Sequence, residues 1–185
     1  MWHPIKHFFT ITKHRHKVIA HCRKAGILWQ GLRHDLSKYS PVEFFAGAKY
    51  YVGTRSPNEI ERERFGYSKA WLHHKGRNRH HFEYWQDAIP AEKKPLAPVE
   101  MPIKYAAEMF CDRVAASKIY KGKDYTDASA WEYYAPNKDR LPMHPNTAAL
   151  LEEWLLTLRD EGEEKAFALV KKAVIENKKQ VKNKG

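Results

Sequence analysis

The run GLRHDLSKYSPVE, residues 31–43, sets His34 and Asp35 side by side at the end of an apolar helical segment. Lys38 follows three residues after Asp35. Ser40, Pro41 and Glu43 then read as N-cap, N1 and N3 of a new helix, the order of a capping box. The run is therefore the seam between two helices. Working outward, apolar residues keep recurring at helical spacing, and no run alternates as a strand would. The expected fold is all-α: one domain over 1–185, a helical bundle with its core at about 10–161 and a basic C-terminal helix at about 163–182.

Upstream, the periodicity predicts a helix from Thr10 to Ala25, with Gly26 just past its end. A short segment from Leu28 to Leu36 carries the His-Asp pair. Downstream, the Ser40 helix should run to Gly53, Ser56-Pro57 opens a charged helix, and Ser68–Lys75 forms a short one before Gly76. PAEKKPLAPVEMP, 90–102, is Pro-rich and reads as a long surface loop, a candidate lid. Helices are expected again from Pro102 to Tyr120, Pro145 to Asp160 and Glu163 to Val181.

Lys and Arg outnumber Asp and Glu by 33 to 22, a net charge of +11, which favours phosphate-bearing substrates or nucleic acid. Part of the excess is the closing KKAVIENKKQVKNKG, a solvated helix face. Cys22 and Cys111 lie in apolar helical contexts and are expected reduced, in keeping with a cytoplasmic protein. No apolar run reaches the roughly 18 residues of a membrane span, and no membrane partner is expected.

Eleven histidines are many for this length, so their direction matters. Ile11, His14, Val18, Cys22 and Ala25 form one stripe, which turns His14 inward and leaves His16 on another face. Tyr67, Trp71 and His74 share a face. In HHKGRNRHH, spacing alone does not choose between His73 with His80 and His74 with His81. On the Pro102 helix, Tyr105, Met109, Asp112, Ala116 and Ile119 align, so Asp112 needs a partner: Arg113, Arg140 or a metal ion. An inward set of imidazoles and carboxylates without thiolate suits Mn, Fe, Ni or Zn.

His14, the adjacent His34-Asp35, and Asp112 on a later helix resemble the ligand pattern of the HD-domain superfamily of metal-dependent phosphohydrolases, an all-α fold. HDLSK also matches the HD-x-x-K form of its cyclic-dinucleotide phosphodiesterases, although their GYP signature is missing. The chain is more closely similar to a small bacterial family sharing HDLSKYSP, GTRSPN and AWLHHKGRN-HHFEYW, which brings no activity with it. The superfamily resemblance implies one or two divalent metal ions held by His14, His34, Asp35, His74, His80 or His81, and Asp112, with Asp35 bridging. It implies a phosphorylated small molecule or nucleotide as substrate. Lys38 would bind phosphate, with Arg77, Arg113 and Lys118 as further contacts. Glu83, two residues after His81, would orient a ligand or act as general acid. One alternative uses the same ligands differently, as a di-iron oxygenase of the same fold; another is a non-catalytic basic protein that binds nucleic acid through a Lys/Arg face and leaves the inward His and Asp residues unexplained.

Overall fold

The computed structural model describes residues 2–183; Met1, Lys184 and Gly185, the ends of the expected domain, lie outside the described residues. The chain is a single all-α domain. Its helices are α1 (Pro4–Lys24), α2 (Leu28–Arg33), α3 (Pro41–Lys49), α4 (Pro57–Phe65) and α5 (Lys69–Lys75), followed by α6 (Ile103–Lys121), α7 (Ser129–Tyr134), α8 (Pro145–Glu161) and α9 (Glu163–Lys182). No helix among the described residues is long and apolar enough to cross a membrane.

Two helices organise the rest. α1 packs on α2, α3, α6 and α9, and α6 packs on α1, α7, α8 and α9. Ala106, Ala107 and Ala115 on α6 are fully buried, and small side chains there let its neighbours approach closely. Phe110 fills the space left over, meeting Trp154 of α8 and Phe167 of α9 edge-on at 6.0 and 5.3 Å between ring centres. Leu151, Leu155, Leu158 and Val170 close this core.

The α1 stripe buries as its spacing predicts: Ile11, His14, Val18 and Cys22 all face in, joined by His7 and His21. The helix starts earlier than expected, at Pro4 rather than Thr10, because Pro4 takes the N1 position and the His3 N–H is anchored on the Ala48 carbonyl at 3.0 Å. At its other end, Gly26 (φ 74°) turns the chain, with Ile27 N–H bonded to Cys22 O at 2.9 Å. α2 therefore folds straight back along α1.

Gly31 sets how close α2 comes. A Cβ at this position would lie 2.7 Å from Cys22 Cβ and 3.2 Å from the Ile19 Cα. Gly31→Ala should push α2 off α1 and cost about 1–3 kcal/mol, the usual penalty of overpacking. A shift in urea midpoint with an unchanged slope checks this, and an unshifted midpoint would show that α2 does not need this approach.

Several expectations need correction. α3 ends at Lys49, not Gly53. Ser40 makes no capping bond with its side chain, so Ser40–Glu43 is not a capping box; the Glu43 carboxylate turns to histidines instead. The Pro-rich 90–102 segment is not purely loop: with the preceding residues it forms an antiparallel hairpin, β1 (Gln86–Ile89) and β2 (Lys94–Pro98), pairing Gln86 with Pro98 and Asp87 with Ala97. Among the described residues its side-chain tie runs from Gln86 Nε2 to Pro142 O at 2.6 Å. Just beyond the hairpin, Met101 N–H bonds Thr147 Oγ1 at 3.0 Å. Those bonds hold the segment at the α8 end. α7 falls between Tyr120 and Pro145, where no helix is expected.

Candidate metal centre

His34 and Asp35 do not sit within a helix. α2 stops at Arg33, His34 is extended (φ −55°, ψ 130°), and Asp35 occupies the left-handed region (φ 53°, ψ 26°) before the 3-10 turn Leu36–Tyr39. Consecutive residues of a helix point about 100° apart. The break lets two adjacent side chains converge on one point. A non-glycine residue at positive φ costs free energy and is held only where the surroundings dictate it.

Asp35 lies at the centre of the cluster, with its side chain only 2% exposed. Its Oδ2 faces His34 Nε2 at 3.1 Å and His14 Nε2 at 3.8 Å. Its Oδ1 faces His74 Nε2 at 3.3 Å and His80 Nε2 at 3.5 Å. Asp112 Oδ1 comes from α6 to within 2.9 Å of His14 Nε2 and 3.4 Å of His34 Nε2. The partner of Asp112 is thus a pair of imidazoles, not Arg113 or Arg140. His81 Nε2 approaches His74 Nε2 at 2.9 Å.

The donor atoms form two groups joined at Asp35. Those of Asp35, His74, His80 and His81 lie within 4.8 Å of one another, and so do those of His14, His34, Asp35 and Asp112. The choice between His74 with His81 and His73 with His80 therefore resolves as His74, His80 and His81 together. α5 ends at Lys75, and the turn through Gly76–Arg79 swings the two later rings back. The two rings lie tilted against each other, with centres 4.1 Å apart. His73 points elsewhere, to Glu43 Oε1 at 2.7 Å.

Two glutamates that sequence reasoning passed over hold the rings from behind. Glu108 Oε1 accepts from His34 Nδ1 at 3.0 Å and meets His80 Nδ1 at 3.2 Å, while Gln30 Nε2 donates to its other oxygen at 3.1 Å. Glu43 Oε2 accepts from His74 Nδ1 at 2.7 Å. Both carboxylates take the Nδ1 edge, which leaves Nε2 of His34, His74 and His80 free to face Asp35. This is how ligand imidazoles are usually oriented. Glu108 with His34 and His80 also forms a third compact group of donors, but its oxygen lies on the ring edges turned away from Asp35. We therefore read it as a support.

The electrostatics follow from this packing. Burial opposes charge on Asp35, but His34, Lys38 and His74 outweigh it and hold the carboxyl well below its ordinary range. Asp112 is also held well below the ordinary carboxylate range, against burial, by His14 and His34. Burial opposes charging His34, yet Asp35, Asp112 and Glu108 hold its pKa well above that of a free imidazole. Burial, with His80 and His74 beside it, drives His81 far down. Against burial, its two histidine bonds pull Glu108 to about 2.

A purely structural polar network would satisfy its own atoms. Here His14 Nε2, His34 Nε2, His80 Nε2 and Asp35 Oδ1 are buried without an aligned hydrogen bond, and Asp35 Oδ2 is met by the Lys38 ammonium. Several orphaned buried donors and acceptors aimed at one region are costly, and such groups call for an explanation. Imidazole nitrogens and carboxylate oxygens converging in this way fit a metal ion. Buried His, Asp and Glu groups are thus positioned to bind metal.

Around the cluster, Lys38 Nζ reaches Asp35 Oδ2 at 2.5 Å. Glu83 is not among the grouped donors; burial raises its pKa, while Arg113, Lys75 and Arg62 pull it back. Arg113 lies over the Tyr134 ring at 5.4 Å. Arg77 is exposed and bonds His73 O at 3.3 Å. Lys118 does not join the site: its ammonium is paired with Glu163 and lies 3.2 Å from His21 Nε2.

The chain belongs to a family of unknown function, DUF5662, whose model matches residues 3–157 and so takes in every residue of the cluster. No curated protein and no solved structure matches it.

Proposed function

We propose that this member of the family is a metal-dependent phosphohydrolase of the HD-domain type, acting on a phosphorylated small molecule or nucleotide. The observation that carries the reading is Asp35: one buried carboxylate in a strained backbone conformation, each oxygen turned to a separate pair of imidazoles. One or two ions of Mn, Fe, Ni or Zn suit such a donor set. When bound, they supply a Lewis acid and bring the pKa of a held water toward neutrality.

The remaining roles fall to the chain itself. His14, His34, His74, His80 and His81 turn ring nitrogens inward, and Glu43 and Glu108 hold the Nδ1 edges of His74, His34 and His80. The Asp112 side chain is 17% exposed, far more than Asp35, so the cluster opens on that side. Lys38, on the same side of Asp35 as His14 and His34, would bind a non-bridging phosphate oxygen, with Arg113 as a second cation. Glu83, two residues after His81, would orient a ligand or carry a proton to a leaving-group oxygen.

The test is phosphate release by chelator-stripped protein reloaded with each of these metals, assayed on phosphomonoesters, phosphodiesters and nucleotides. Release should require metal and vanish in His34→Ala. Absence of release with every ion, or release that survives His34→Ala, would overturn the reading.

A further inference from the structure

The two donor groups share Asp35 but are not equivalent, and Lys38 makes the difference. Lys38 lies in the 3-10 turn that follows Asp35, and its backbone N–H bonds the Asp35 carbonyl at 3.0 Å. The turn thus roots the lysine beside the carboxylate three residues earlier. Its ammonium lies 2.5 Å from Asp35 Oδ2, the oxygen that faces His34 and His14. Oδ2 is the carboxylate oxygen nearest the ammonium, whereas Oδ1 is the one nearest His74 and His80.

The His74–His80–His81–Asp35 group is therefore three imidazoles and the carboxylate oxygen farther from the ammonium. The His14–His34–Asp35–Asp112 group already has a monocation on one of its two carboxylates. An ammonium and a metal dication cannot share one carboxylate oxygen without strong repulsion at such short range. The lysine side chain is 28% exposed, whereas that of Asp35 is 2% exposed. The lysine side chain as a whole reaches solvent, and the carboxylate does not.

We propose that Lys38 gates metal occupancy. The His74–His80–His81–Asp35 position fills by itself, and the His14–His34–Asp112 position fills only once an anionic phosphate draws the Lys38 ammonium off Asp35. This rests on the metal-centre reading above and adds an order of filling to it. A two-ion centre would then assemble only with a phosphorylated ligand present.

The test is a Mn²⁺ titration of the stripped full-length chain, with free Mn²⁺ followed by its EPR signal. Wild type should take up one ion per chain, Lys38→Met two, and Lys38→Arg, which keeps the charge, one. Inorganic phosphate should raise wild type to two and leave Lys38→Met unchanged. His81→Ala should remove the ion that wild type binds, and His14→Ala should remove the second ion from Lys38→Met. Two ions in phosphate-free wild type, or a single ion in both wild type and Lys38→Met, would overturn the gate while leaving the metal centre intact. No uptake by any of the proteins would overturn both.

Discussion

Asp35→Asn should fold, take up no metal and release no phosphate. Asn is among the few residues that tolerate the left-handed conformation found at position 35 (φ 53°), so the turn into Leu36–Tyr39 survives. The substitution removes the negative charge that both donor groups share. His34 and His74, whose pKa values Asp35 helps to raise, can lose their protons and remain buried as neutral rings. Thermal unfolding with and without added metal separates the two consequences. At a metal concentration 100 times its dissociation constant, wild type should gain about 2.7 kcal/mol, and Asp35→Asn should gain nothing. A variant that still gains stability from metal would show that Asp35 is not the shared ligand.

Glu108→Gln should weaken both metal positions at once. One Glu108 oxygen serves His34, which belongs to one donor group, and His80, which belongs to the other. A glutamine oxygen accepts more weakly, and its amide nitrogen would oppose Gln30 Nε2, which now donates to the second oxygen at 3.1 Å. Loss of such an orienting partner usually costs about 10–100-fold in metal affinity or activity. Glu43→Gln makes the contrast. Glu43 supports His74 and His73, so its loss should weaken only the His74–His80–His81–Asp35 position. Calorimetric titration of the two variants with phosphate present, so that both positions fill, distinguishes them; equal effects on the same single position would remove Glu108 from its shared role.

How far the sequence reveals this site depends on the kind of signal each residue carries. His14 is legible because it interrupts an apolar stripe at helical spacing, and Asp112 because a carboxylate on an apolar face demands a partner. The central helix is harder to read. α6 buries Ala106, Ala107, Phe110, Cys111, Val114 and Ala115 against its neighbours, while Glu108 and Asp112, four residues apart, share the face toward the cluster. That four-residue spacing was the available clue to Glu108. Glu43 was hidden by a competing pattern, since Ser-Pro-x-Glu reads as a capping box whether or not the glutamate is needed elsewhere. His80 and His81 cannot be assigned by periodicity, because helix α5 ends at Lys75 and a turn, not a helix, aims both rings. The hairpin escapes for a similar reason: its prolines mark a loop, and its pairing depends on partners on the far side of the turn.

The most direct measurement of the central claim is an anomalous-scattering difference map from crystals grown with Mn²⁺ or Zn²⁺. It should show a peak within ligand distance, about 2.0–2.2 Å, of Asp35 Oδ1 and of the Nε2 atoms of His74, His80 and His81. Full metal occupancy in solution with the peak elsewhere, or no peak at this cluster at any concentration, would contradict the account and leave the five histidines as a buried polar core.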